Sequence, residues 1–113
     1  MRLTLGLMLL GGLLPGVSLA QSVENGGKVF VRDGCYQCHG YAGQGTIAGA
    51  RLGPPVLTAQ GMIRYIRKPA GAMPAFSEKV LSDQEVNDIY AYLKSMPAPK
   101  PVKDIPLLDQ MRY

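Results

Sequence analysis

Beyond residue 20 the sequence has no long apolar run. A helix that crosses a membrane needs about 20 consecutive apolar residues, so no later stretch is built to span one. The chain has one histidine, His39, and two cysteines, Cys35 and Cys38. A structural zinc site wants four ligands, and these three residues fall one short. No segment alternates apolar and polar residues as a strand does, and there is no internal repeat. The glycines of residues 40–53 lack the Gly-Lys-Ser/Thr that closes a phosphate loop. Blocks of like charge are missing too. Lys and Arg number 12 against 8 Asp and Glu, and the basic residues are scattered, so a pI near 9.2 does not argue for nucleic acid.

The N-terminus does carry a pattern. Met1-Arg2 gives a positive start, residues 3–14 are almost wholly apolar, and Ser18-Leu19-Ala20 supplies small residues for cleavage. This is the composition of a secretory signal peptide over residues 1–20. Gly11, Gly12, Pro15 and Gly16 interrupt a run already too short for an anchor. Cleavage after Ala20 would deliver residues 21–113 to the periplasm, where disulfides are permitted. A domain of that size buries only a modest core, so a staple or a cofactor is expected.

A short helix is expected over residues 25–32, with Val29 and Phe30 as its apolar anchors. Residues 40–53 read as a glycine-rich loop. Thr58 can cap a helix over residues 59–68, where Met62, Ile63 and Ile66 recur at helical spacing and Pro69 stops the run. Ser82-Asp83-Gln84-Glu85 is a capping box. Val86, Ile89, Tyr90 and Leu93 follow at i, i+3, i+4 and i+7, and Pro97 closes the helix. Pro97, Pro99, Pro101 and Pro106 make residues 97–113 an extended tail outside the core. The fold expected for residues 21–96 is a small all-α domain with long loops.

Cys35-Tyr36-Gln37-Cys38-His39 is the C-x-x-C-H signature of covalent haem attachment. Positions i, i+3 and i+4 share one face of a helical turn. Two thiols can then meet the vinyl edge of one haem while the imidazole reaches its iron. A disulfide here would close a tiny loop, and a thioredoxin-like pair wants a strand and a βαβ context that the sequence lacks.

From these residues onward the chain resembles the class I cytochromes c, over residues 26–96. In that family a helix leads into C-x-x-C-H and meets a C-terminal helix at a glycine–aromatic contact, here Gly26 and Phe30 against Tyr92 or its neighbours. Gly53-Pro54-Pro55-Val56 is similar to the family's Gly-Pro-x-Leu segment, which implies that the Pro54 carbonyl accepts the Nδ1–H of His39. Met73-Pro74 matches the family's Met-Pro segment and implies Met73 as the second axial ligand. Met62 reads as core instead. The interval from His39 to Met73 is short for the family, which exposes one haem edge. With no tryptophan present, Arg51, Arg67 and Tyr65 are the candidates for holding a propionate.

The resemblance implies one haem c, ligated by His39 and Met73 and wrapped by an all-α domain. It also implies single-electron transfer rather than enzymatic turnover, by a soluble periplasmic carrier or the small cytochrome subunit of a periplasmic redox complex. Arg64, Arg67, Lys68 and Lys79 form a candidate basic rim for acidic redox partners, since such charge steers encounter more than it adds affinity. The apolar residues Ile105, Leu107, Leu108 and Met111 make the tail a second docking candidate. The alternative is a five-coordinate haem sensor or enzyme that binds a small gas or peroxide, for which the chain offers no distal histidine.

Overall fold

The computed structural model describes residues 20–111. The expected signal segment therefore lies, Ala20 apart, outside the described residues. Among those residues the elements are helical, with no strand, as an all-α domain requires. No helix among them is long and apolar enough to cross a membrane.

Helix α1 (Val23–Arg32) begins two residues earlier than periodicity suggests. Ser22 caps it through its hydroxyl, which accepts the Asn25 N–H at 3.0 Å. The Ser22 N–H in turn donates to Asp88 at 2.9 Å, across 66 residues of chain. Gly34, at φ +75°, turns the chain directly into α2 (Cys35–His39). Helix α3 (Ala59–Arg67) starts at Thr58, whose hydroxyl accepts the Gly61 N–H at 3.1 Å. Helix α4 (Asp83–Lys94) carries the expected capping box, with Ser82 and Glu85 each satisfying the other's backbone N–H.

These helices share one core. α1 packs along α4 in the most extensive contact, and α3 packs on α4 more lightly. Val29 and Phe30 from α1, Met62, Ile63 and Ile66 from α3, and Val86, Ile89 and Leu93 from α4 are buried together with Leu81. Phe30, Leu81, Val86 and Leu93 are almost wholly enclosed, and each such side chain contributes about 1.5–3 kcal/mol. Phe30 also meets the Tyr92 ring at a centroid distance of 5.6 Å.

The tail departs from the extended reading. It forms a 3₁₀ turn (Val102–Asp104) and a short helix α5 (Pro106–Asp109). Pro106 opens α5 at a position whose N–H would have no helical partner anyway, so proline fits there. Among the helical elements these two pack on each other alone.

Candidate functional site

The chemistry-bearing residues gather around one cavity of about 730 Å³. That lies within the roughly 300–1,000 Å³ usual for small-molecule and cofactor sites. α2 supplies Cys35, Cys38 and His39 to its lining, and the loop after α3 supplies Met73. Phe30, Leu52, Met62, Ile66, Phe76 and Leu93 add apolar walls from every major element. Much of the core thus also lines the cavity.

Local geometry sets the three motif residues. One helical turn places them, and its last amide is taken up when the Gly40 N–H donates to Tyr36 O at 2.8 Å. Both cysteines are free thiols. Burial, with Asp33 adding to it, pushes the Cys35 thiol up to about 11. Among the described residues no three His, Cys, Asp or Glu side chains converge as a metal-binding group.

The loop of residues 40–53 orients His39. Its Nδ1 lies 2.6 Å from the Ala50 carbonyl oxygen. A carbonyl can only accept, so Nδ1 carries the proton and Nε2 keeps its lone pair for a metal. This corrects the expectation for Pro54, because Ala50 occupies the position that the family resemblance gave to the Pro54 carbonyl. The reason is the path of the loop. The Leu52 and Gly53 N–H groups both donate to Gly43 O, at 2.7 and 2.9 Å, and the Thr46 N–H donates to Gly49 O at 2.9 Å. The chain is thereby folded back so that Ala50 passes the imidazole. Gly49 allows the approach, since a Cβ there would stand 2.6 Å from the Cys38 carbonyl oxygen.

The remaining expected residues divide. Arg51 and Tyr65 line the cavity. Arg51 is steadied by its Nε, which donates to Gly53 O at 2.7 Å. Arg67 is drawn elsewhere, to the Phe76 carbonyl and to Asp83. Arg64, Lys68 and Lys79 are exposed. The part of Ala50 escaped sequence reasoning, because nothing in its residue type marks a backbone carbonyl as a partner.

The site therefore fits a haem: two thiols and an imidazole with a free Nε2 on one helix, a thioether from a separate loop, and apolar walls around them. The family model described as cytochrome C oxidase, cbb3-type, subunit III matches residues 21–93. Cytochrome c-555 of Methylococcus capsulatus (strain Bath) is 29% identical over 76 residues, covering 66% of this chain and 62% of that protein. The chain thus spans less than two thirds of the relative's length. No solved structure matches it.

Proposed function

Because the chain belongs to the cytochrome c oxidase, cbb3-type, subunit III family of c-type cytochromes, we propose that it moves single electrons through one covalent haem c with His39 and Met73 as axial ligands. Haem-based electron transfer is the chemistry of the cytochrome c family, whose members are carriers rather than enzymes. The observation that carries the finer reading is the shared cavity, where Met73 joins Cys35, Cys38 and His39 although it comes from a separate loop.

When bound, the haem supplies a one-electron iron couple. Cys35 and Cys38 would hold it through thioether bonds, which prevents its loss outside the cytoplasm. His39 would present Nε2 to the iron, its ring fixed by the Ala50 carbonyl. Met73 would give the iron its thioether sulfur, a ligand that favours the ferrous state and raises the reduction potential. Phe30, Leu52, Ile66 and Leu93 line the site with apolar surface, which would limit water around the bound group. With His39 and Met73 both given to the iron, gases and peroxide would find no open position.

The reading extends to a periplasmic carrier, or the small cytochrome subunit of a periplasmic redox complex, exported by cleavage after Ala20. Its electron donor and acceptor would be other periplasmic redox proteins. Exposed Arg64, Lys68 and Lys79 support docking to acidic partners. Replacing Met73 by alanine tests the ligation. Met73→Ala is expected to lower the midpoint potential by on the order of 100 mV and to admit carbon monoxide. An unchanged potential with continued resistance to carbon monoxide would remove Met73 from the iron.

A further inference from the structure

Met73 stands in a segment that leaves α3 and comes back to it. The Lys68 N–H closes α3 on the Arg64 and Tyr65 carbonyls, both at 3.2 Å. The next N–H along the segment with a backbone partner is that of Phe76, which donates to Ile66 O at 3.1 Å. Between them Gly71, at φ +70°, turns in open space. Residues 68–76 are therefore a loop tied at its neck.

Arg67 sits on that neck. Its Nη1 donates to the Phe76 carbonyl at 3.1 Å, and its Nη2 pairs with Asp83, the first residue of α4. Phe76 is thus held on both sides, through its N–H by Ile66 and through its C=O by Arg67. The Arg67 side chain is 23% exposed and that of Asp83 51%, so the ion pair is partly screened by solvent, while the charge-assisted bond to the Phe76 carbonyl is the more sheltered of the two. Phe76 lines the same cavity as Met73. Only Pro74 and Ala75 lie between them, three Cα–Cα steps that reach about 10 Å at most, so slack at Phe76 passes directly to Met73.

We propose that Arg67 is a positioning residue for Met73, joining the Phe76 carbonyl to Asp83 so that the loop neck stays closed and the thioether stays in the cavity. This role rests on Met73 being the axial ligand. It also sets Arg67 apart from the basic rim, because its charge is engaged by Asp83 rather than offered to a partner.

The test uses the exported, haem-loaded full chain and the variants Arg67→Gln and Asp83→Ala. Two signals are followed through one urea titration of the ferric protein: the far-red sulfur–iron band, which reports Met73, and the far-ultraviolet helix signal, which reports the fold. In both variants the band is expected to disappear at lower urea than the helix signal. At a fixed urea concentration below unfolding, the fraction of iron without the thioether should rise about tenfold. Asp83→Ala keeps Arg67 and the Ser82–Glu85 box, so it carries the test if Arg67→Gln fails to fold. Band and helix signal moving together in the folded variants would overturn the proposal, leaving Arg67 a contributor to overall stability only. A parent protein without the band would withdraw Met73 ligation and this role with it. A parent band that the variants do not loosen relative to the fold would withdraw this role alone.

Discussion

Gly26 in α1 lies flat against the backbone of Asp88 in α4, so closely that a Cβ on Gly26 would overlap the Asp88 carbonyl group. Two helix backbones in contact leave nothing soft to yield. Neighbouring Gly27 faces a side chain instead, with a Cβ there 3.1 Å from the edge of the Tyr92 ring.

That difference fixes the first expectation. Gly26→Ala should destabilise the haem-loaded protein by about 2 kcal/mol or more, the cost of forcing packed backbones apart. Gly27→Ala should change stability by less than about 1 kcal/mol, because Tyr92 can shift and alanine favours the helix. Urea unfolding of both variants measures this. Equal losses would mean that the α1–α4 approach is looser than the structure has it.

The second concerns acid. Asp88 is 4% exposed. Burial by itself pushes its carboxyl up, but bonds from the Ser22 N–H at 2.9 Å, Asn25 at 2.7 Å and Gln84 at 3.0 Å outweigh that and hold it below its ordinary 3.8. Glu85 is lowered as well, by the Ser82 N–H and then by Arg32. A carboxylate depressed in the folded state stabilises fully above its ordinary range, and that contribution is lost as pH falls through the folded value. Stability should therefore drop as pH goes below about 4. Asp88→Asn should cost about 1–3 kcal/mol at pH 7 and flatten that drop. Unfolding midpoints across pH check it, and an identical acid profile in the variant would count against Asp88.

Features set by neighbouring residues were legible in the sequence. The Ser82–Glu85 box, the Thr58 cap and the one-turn helix from Cys35 to His39 each depend on a few consecutive residues. The core faces of α3 and α4 followed from spacing. What escaped depends on distant partners. Ser22 starts α1 early because Asp88 meets it from 66 residues away. Ala50 reaches His39 because Gly43 gathers Leu52 and Gly53, a fold of the loop that no residue type announces. Arg67 reads as a surface charge until Phe76 and Asp83 are brought beside it. Pro106 reads as a breaker, although it suits the first position of a helix.

A third expectation concerns partners. Arg64 and Lys68 are exposed near the end of α3. Reversing both charges should slow electron exchange with an acidic partner about tenfold at low salt. The gap should close toward 1 M salt, where screening acts over about 3 Å. Stopped-flow rates against ionic strength measure this, and a parent rate insensitive to salt would exclude these residues as the docking rim.

The visible spectrum of the exported protein, oxidised, reduced and then reduced under carbon monoxide, bears most directly on the proposed ligation. His39 and Met73 together should give narrow low-spin bands when reduced, a far-red sulfur–iron band when oxidised, and no change with carbon monoxide. A high-spin spectrum that shifts when carbon monoxide is added would mean an open iron, and a gas- or peroxide-binding haem protein in place of a carrier.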